Sequence, residues 1–245
     1  MVNLVVRNFG MDFIYFDMLF CLIWMIVLLR KKYFLQWLFG LFGACVVFFT
    51  DYFLWYKILG TRLIYEVPFN EGLFLLYFSF TYGMFEFSYV AVMFSAKSWR
   101  KMLFWSLFLY GGWLAVGFLS QWIPLDDRSI SIAREMSSAR WGQVVVTVGG
   151  YLMLIILKYT WKPFKQVTWR KIAFLFLIGF LVHFAMETTL LAVGIRPWEG
   201  AVGVLAFNSL VEFNMGVPIL YFGWVFLKDR GISTGAEERV KQRSE

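Results

Sequence analysis

The stretch NSLVEFNMGVPIL, residues 208–220, decides the class of fold because of the kind of segment in which it lies. It belongs to an apolar run, residues 201–227, that is long enough to cross about 30 Å of hydrocarbon as a helix. The run nevertheless carries a carboxyl group, Glu212, with the amides Asn208 and Asn214 on either side. A charged side chain at mid-bilayer costs about 2.5–3.5 kcal/mol, so such residues face the interior of a helix bundle and usually mark function.

Apolar runs of this length recur along the whole chain of 245 residues, of which 60% are hydrophobic and 16% charged. A soluble domain has about 45–50% apolar residues. We therefore predict an all-α integral membrane protein in which residues 1–230 form a single domain of seven transmembrane helices. The predicted spans are residues 12–29, 33–58, 72–96, 102–123, 143–159, 172–194 and 201–227.

The two ends of the chain lead to separate predictions. No basic stretch precedes the first apolar run and no small-residue cleavage site follows it, which favours a retained span over a signal peptide. Residues 231–245 are charged and have no apolar face, so we predict a disordered tail.

Basic residues cluster after every second predicted span and indicate the orientation in the membrane. The clusters are Arg30, Lys31 and Lys32; Lys97, Arg100 and Lys101; Lys158, Lys162, Lys165, Arg170 and Lys171; and Lys228 and Arg230. The positive-inside rule then predicts the N-terminus outside and the C-terminus in the cytoplasm. The same distribution accounts for the net charge of +7 without a nucleic-acid partner. Residues 124–140, on the opposite side, are predicted as a polar outer loop with a short interfacial helix.

Several short patterns occur twice and suggest an internal repeat. Residues 86–87 and 212–213 are both Glu-Phe, in spans 3 and 7. Residues 51–62 and 187–196 each place an acid, a glycine and an arginine in that order, at the ends of spans 2 and 6. Spans 1–3 and 5–7 would then be parallel repeats joined by span 4, a 3+1+3 arrangement. The alternative is coincidence in a chain rich in Phe.

Four carboxyl groups fall well inside the predicted spans, namely Asp51, Glu86, Glu187 and Glu212. His183 lies four residues before Glu187, so the two share one helix face. We expect these groups to meet in one cavity, with supporting side chains from Asn208, Asn214, Trp55, Tyr82 and Tyr89. The chain offers one histidine and no lysine or arginine at their depth, which predicts that some of the acids stay protonated. The alternative is that the acids pair with each other and only hold the helices together.

Three stretches carry a resemblance to a known family. They are YVAVMFSAKSW (residues 89–99), WGQVVVTVGG (141–150) and VEFNMGV (211–217). They resemble the end of the third span, the start of the fifth span and the last span of the small seven-span terpene cyclases of pyripyropene and paspaline biosynthesis. The resemblance implies essential carboxyl groups in the second and last spans, at Asp51 and Glu212. The chain departs from that pattern: Thr50, and not Trp, precedes the first acid, and the Glu and Asp types are exchanged.

The resemblance implies a cyclase, a lyase or isomerase by reaction, that acts on a lipophilic prenyl or lipid substrate among the membrane lipids. Asp51 or Glu212 would protonate an epoxide or an alkene as general acid, without metal or cofactor, and aromatic rings would stabilise the cation. Asn208 and Asn214 would orient Glu212.

Two other functions fit the same residues. A transporter of protons or of a small solute would use the buried acids as a relay, with helix breaks at Gly216 and Pro218 or at Gly40 and Gly43. A non-catalytic lipid-binding protein or assembly partner would use them as interhelical contacts. The chain contains no GxSxG, P-loop or HExxH motif, which removes those hydrolase and nucleotide-binding classes.

Overall fold

The protein is 76% helical in a computed structural model that describes residues 4–135, 139–198 and 201–230. Its helices are α1 (Met11–Arg30), α2 (Phe34–Phe48), α3 (Glu71–Ser95), α4 (Trp99–Trp122), α5 (Ala139–Thr160), α6 (Trp169–Ala192), α7 (Ala201–Phe207) and α8 (Val217–Asp229). A π-helical segment, Phe49–Ile58, continues α2, and a second one, Asn208–Glu212, continues α7. The predicted tail, residues 231–245, lies outside the described residues.

Within the described residues, six helical stretches are long and apolar enough to cross a membrane. They are Met11–Arg30, Phe34–Ile58, Trp99–Trp122, Trp141–Thr160, Trp169–Ala192 and Leu205–Asp229. The protein is therefore a multi-pass all-α membrane protein, because a segment of that length in lipid has to satisfy its backbone groups within a helix.

The predicted span at residues 72–96 is not among these six stretches, although it forms the long helix α3 of 25 residues. Its Ser, Thr, Tyr and Glu side chains lower its hydropathy. Residues 83–94 are buried on every side, so α3 lies in the middle of the bundle. A helix enclosed by other helices can hold polar side chains that a lipid-facing helix cannot.

A three-stranded antiparallel sheet, which the sequence did not lead us to expect, covers one end of the bundle. Its strands are β1 (Leu4–Gly10), β2 (Arg62–Tyr65) and β3 (Ser129–Glu135), in the order β1-β3-β2. The predicted interfacial helix within residues 124–140 is thus wrong for Ser129–Glu135. The strand forms because SISIARE alternates with a period of two, which places its two isoleucines and its arginine on one face.

The sheet identifies which connections share one end of the bundle. Strand β1 precedes α1, β2 joins the end of α2 to α3, and β3 joins α4 to α5. The backbone amide of Asn8 donates to the carbonyl of Ile195 at 2.9 Å, which brings the α6–α7 connection to the same end. We call this the sheet end. The four basic clusters lie in the connections of the opposite end and after α8.

Helices α2 and α3 approach closely because glycines face each other across their contact. A Cβ at Gly83 would overlap the backbone of Gly43 and Ala44, and a Cβ at Gly40 would overlap Met84. Small residues permit this approach between transmembrane helices. Gly40 and Gly43 therefore serve packing within the continuous helix α2, and they do not break it.

The last span is broken where the sequence placed a glycine and a proline. The π-helical segment ends at Glu212, a turn follows over residues 213–216, and α8 starts at Val217 with Pro218 in its first turn. Proline fits the first turn of a helix, where its missing N–H has no intrahelical partner to lose. The break places Glu212 at the end of a π-helical segment, a feature that is frequent at functional sites.

Candidate functional site

A cavity of about 360 Å³ lies inside the bundle, between the sheet end and the break in the last span. This volume is within the range of small-molecule pockets, about 300–1,000 Å³. Its polar lining includes Asp51, Glu86, His183, Asn208, Glu212, Tyr82 and the arginines Arg7, Arg62, Arg134 and Arg196. Its apolar lining includes Val46, Val47, Phe87, Phe213, Met215 and Ile219.

His183 joins two of the predicted carboxyl groups on the cavity wall. Its Nδ1 lies 3.1 Å from Oε1 of Glu86, and its Nε2 lies 3.3 Å from Oε2 of Glu212. Helices α6 and α3 and the π-helical segment of the last span each supply one of the three groups. The imidazole is 3% exposed, so its proton is shared inside the protein.

The fourth predicted carboxyl group, Glu187, is completely buried beside the cavity and does not line it. Its Oε1 accepts hydrogen bonds from Arg7 Nη2 at 2.9 Å, Arg196 Nη2 at 2.7 Å and Asn208 Nδ2 at 2.9 Å. Two guanidinium groups and one amide on a single carboxylate make it an ion-pair centre that joins β1, the α6–α7 connection and the last span.

The prediction that no cation reaches the acids is wrong. Besides the two arginines on Glu187, Arg62 Nη2 lies 2.6 Å from Asp51, and Arg134 Nη1 lies 2.5 Å from Glu212. These arginines do not belong to the spans. Strands β1, β2 and β3 supply three of them and the α6–α7 connection supplies the fourth, and their long side chains reach down into the bundle.

Burial, neighbouring carboxylates and neighbouring guanidinium groups all change the pKa of the arginines Arg62, Arg196 and Arg7. Burial lowers the pKa of Arg62, Asp51 opposes that change, and the guanidinium of Arg134 adds to it. Burial also lowers the pKa of Arg196, and the positive charge of Arg7 adds to this effect while Glu187 opposes it. For Arg7 the burial effect is outweighed, since Tyr82 and Glu187 raise its pKa above the ordinary value.

Guanidinium groups contact two of the predicted aromatic residues, Trp55 and Tyr82. The ring of Trp55 lies 4.3 Å from the guanidinium carbon of Arg134 and 5.4 Å from that of Arg62. The hydroxyl of Tyr82 accepts a hydrogen bond from Arg7 at 3.0 Å and contacts the sulfur of Met186. These rings therefore already stabilise cations that belong to the protein.

The apolar wall contains an aromatic pair that the sequence analysis did not assign to the site. The rings of Phe87 and Phe213 meet edge to face with centroids 5.3 Å apart. Each residue follows one of the glutamates that flank His183. The two Glu-Phe pairs noted in the sequence thus lie side by side around one histidine.

Besides Glu187, two further predicted site residues do not line the cavity. Tyr89 is buried in α3, and its hydroxyl hydrogen-bonds with Ser106 at 2.8 Å. Asn214 accepts from the Tyr151 hydroxyl at 2.7 Å and donates to the carbonyl of Leu210 at 3.0 Å. Both contacts hold neighbouring helices together.

A buried carboxyl group in α1 was not among the predicted site residues. Asp17 is 4% exposed and accepts a hydrogen bond from the Tyr77 hydroxyl at 2.9 Å. Its position inside the first apolar run was a sufficient signal, by the same reasoning that selected the other four acids. The arginines had a weaker signal, the alternation of Ile130, Ile132 and Arg134.

The cavity opens through the helical wall of the bundle. Three of its lining residues are also exposed on the outer surface, Val46 at 37%, Val146 at 51% and Ile219 at 59%. They belong to α2, α5 and α8, so the opening lies between these helices. Its rim is aliphatic, which suits contact with lipid chains.

Both acid–glycine–arginine patterns close into an ion pair. Gly60 and Gly194 have φ of +62° and +73°, values that a residue with a side chain rarely adopts. The turns let Arg62 return to Asp51 and Arg196 return to Glu187, at 2.6 Å in each case.

Comparison of the chain with models of protein families, with curated proteins and with solved structures found no match. A functional conclusion therefore has to come from the site itself.

Proposed function

We propose that this protein is a membrane-integral enzyme that performs acid-initiated chemistry on a lipophilic, prenyl-type substrate, as its resemblance to the small terpene cyclases implies. The observation that carries the proposal is the position of His183 between Glu86 and Glu212 on the wall of a cavity with an aromatic and aliphatic side. An acid group beside apolar and aromatic walls is what carbocation chemistry requires.

The imidazole of His183 and the two carboxyl groups beside it lie close enough to share a proton. A neutral imidazole donates from only one nitrogen, whereas both nitrogens face carboxyl oxygens here. Both nitrogens can hydrogen-bond to these oxygens only if the imidazole carries two protons or one of the carboxyl groups carries a proton. In both states the cavity wall holds a proton that can pass to a substrate.

In the proposed reaction that proton goes to an epoxide oxygen or a terminal alkene. Opening of the C–O bond, or protonation of the double bond, leaves a carbocation, and the π electrons of the next alkene form a new C–C bond to it. A carboxylate then takes up the final proton, which restores the shared proton of the site. The substrate and the product have the same mass.

This assignment changes the roles that the resemblance implies for Asp51 and Glu212. Each has a guanidinium partner at 2.5–2.6 Å, the partner of a carboxylate and not of a neutral acid. We therefore assign proton donation to Glu86 and His183. Asp51 and Glu212 instead offset the charge of the arginines and stabilise the developing cation.

The lateral opening supports a substrate that is dissolved in the membrane. Val46, Val146 and Ile219 give the opening an aliphatic rim, through which a prenyl chain can enter without crossing water. Such access suits an enzyme that acts on membrane-soluble molecules.

The test measures turnover by the protein in lipid nanodiscs, with a panel of epoxidised prenyl arenes as substrates. Chromatography with mass detection would reveal a product of unchanged mass and altered retention. Glu86→Gln and His183→Asn should each lower turnover about 100-fold or more, the usual contribution of general acid–base catalysis. Asp127→Asn, at an exposed acid of the sheet end, should retain it. Full turnover by both site variants, or none by the wild type across the panel, would contradict the proposal.

The broken last span favours a second candidate, a proton-coupled transporter. Transporters bind solutes and ions where a spanning helix is interrupted, and here the interruption follows Glu212 directly. Such a protein would show pH-coupled uptake into vesicles that Glu86→Gln abolishes, with no change in the transported molecule.

We further propose that α3 crosses the membrane as a seventh span, with the N-terminus outside and the C-terminus in the cytoplasm. The basic clusters at the end opposite the sheet support this orientation. A 3+1+3 repeat is supported by the two Glu-Phe pairs around His183 and by the two left-handed glycines that precede paired arginines.

A further inference from the structure

Four arginines converge at the sheet end of the cavity, and their placement costs folding free energy. Arg62 and Arg134 are direct neighbours across the β2–β3 ladder, and like charges in that position are destabilising. Arg7 of β1 pairs with Ile132, which lies two residues before Arg134 on the same face of β3. Residues that are costly for the fold are commonly retained for binding or chemistry.

The charges around the cavity do not balance among the described residues. Four guanidinium groups face three carboxylates, those of Asp51, Glu187 and Glu212. The pair of Glu86 and His183 has no net charge, whether the proton lies on the carboxyl group or on the imidazole. One positive charge is therefore in excess at the sheet end of the cavity.

Two buried donors point to where the missing negative charge belongs. Arg62 Nε and Arg196 Nη1 have no hydrogen-bond partner within the described part of the chain, although both residues line the cavity and are only 6% and 2% exposed. A buried charged donor without an acceptor is expensive, and it is normally satisfied by water, an ion or a ligand.

The rest of the cavity has the opposite character. Away from the arginines its lining is aliphatic and aromatic, with Val47, Phe213 and Met215 as examples, and it leads to the aliphatic opening beside Ile219. One continuous space therefore joins a cationic end to an apolar end.

We propose that the sheet end of this cavity binds an anionic group, a phosphate or a carboxylate, carried by the lipophilic molecule whose hydrocarbon part fills the apolar end. The inference rests on the proposed function, since it names a property of the substrate that the same cavity would take. Arginine suits this role because its planar fork matches the oxygens of a phosphate or a carboxylate.

The experiment compares ligands with one tail and different head groups on the full chain in phosphatidylcholine nanodiscs. Dodecyl phosphate, dodecanol and inorganic phosphate are titrated, and affinity is taken from the rise in unfolding temperature. Dodecyl phosphate should bind at least about tenfold more tightly than dodecanol, since hydrogen bonds to a charged group add that much. Equal affinity for the two would overturn the inference. Equal stabilisation by inorganic phosphate would also overturn it, because the site would then hold a free anion and not an amphipathic one.

A paired variant tests whether the arginines are responsible. The double substitution Arg62→Gln with Asp51→Asn removes one ion pair without leaving a lone buried charge, and it should reduce the advantage of dodecyl phosphate over dodecanol roughly tenfold. Arg128→Gln removes a positive charge from an exposed position of the sheet end and should leave the advantage unchanged. An unchanged advantage in the double variant would overturn the inference. If that variant does not fold, the wild-type comparison of head groups decides alone. Binding without turnover would leave this inference standing and count against the proposed reaction only.

Discussion

Asp51 illustrates how a carboxyl group is held inside this bundle. It is 2% exposed, and its partner Arg62 is also buried, so the pair has lost nearly all contact with solvent. The attraction between buried charges offsets their desolvation only when both are present. The stability of the site therefore depends on pairs of residues and not on single ones.

Substitution of one partner should cost more than substitution of both. Asp51→Asn and Arg62→Gln, made singly, should each destabilise the protein by about 3–5 kcal/mol because each leaves a buried charge unpaired. The double variant should be clearly more stable than the sum of the two effects predicts. Unfolding midpoints in detergent measure all three proteins.

The exposed pair of Asp126 and Arg128 gives the matched control for this cycle. Its partners lie 2.6 Å apart at the same end of the molecule, but Arg128 is mostly exposed. Solvent screens such a pair, so the corresponding substitutions should change the midpoint little. If the destabilisation of the double variant equals the sum of the two single effects, the stability of the site does not depend on the pairing of Asp51 with Arg62.

At the scale of elements, the contact between α2 and α3 fixes the depth of the carboxyl groups. Gly83 lies against the backbone of Gly43 and Ala44, three residues before Glu86 in α3. The π-helical continuation of α2 then carries Asp51 to the same cavity. A shift of one helix along the other would move these two acids apart.

A methyl group at this contact should therefore be poorly tolerated. Gly83→Ala places a Cβ against backbone atoms that cannot move aside, and we expect a loss of about 1–3 kcal/mol or more. Gly111→Ala in α4 is the control, since a Cβ there meets no described atom within 4 Å. This control should unfold at the wild-type temperature or slightly above it. Equal unfolding temperatures for the two variants would argue against the close approach of α2 and α3.

At the scale of the whole molecule, the proposed topology requires α3 to join opposite sides of the membrane. In the part of the chain that the structure describes, six helical stretches have the length and hydropathy expected of a span, whereas the long helix α3 is not among them. The connections alternate between the sheet end and the basic end, and in the proposed topology α3 spans the same thickness as its neighbours. In the proposed orientation, the sheet end and the cationic side of the cavity lie on the extracytoplasmic face.

Labelling of single cysteines can test this arrangement in intact cells. With Cys21 and Cys45 replaced by alanine, a membrane-impermeant maleimide should label Glu66→Cys from outside and Lys97→Cys only after permeabilisation. Both positions are exposed, and they lie just before and just after α3.

A second pair of positions serves as the control for orientation. Asp127→Cys at the sheet end should react from outside, and Lys165→Cys between α5 and α6 should not. Labelling of positions 66 and 97 from the same side would exclude α3 as a span. Labelling of all four in the opposite sense would reverse the orientation.

The sequence by itself determined the membrane class, six of the seven predicted helical spans and the positions of the buried acids. Each of these is a local property: an apolar run in lipid has to satisfy its backbone groups as a helix, and a carboxyl group inside such a run has to face inward. The Glu-Phe pairs and the acid–glycine–arginine patterns were also visible in the sequence. The contacts that they form, around His183 and in two ion pairs, were not.

The tertiary structure alone decided which charges meet. Arg7 pairs with Glu187 across 180 positions of the chain, and it does so because β1 joins two other short strands over the end of the bundle. Each strand is too short and too distant from its partners in sequence for its pairing to be read from local pattern. The charge of the cavity therefore depends on contacts between separate segments, and no single segment of the sequence encodes it.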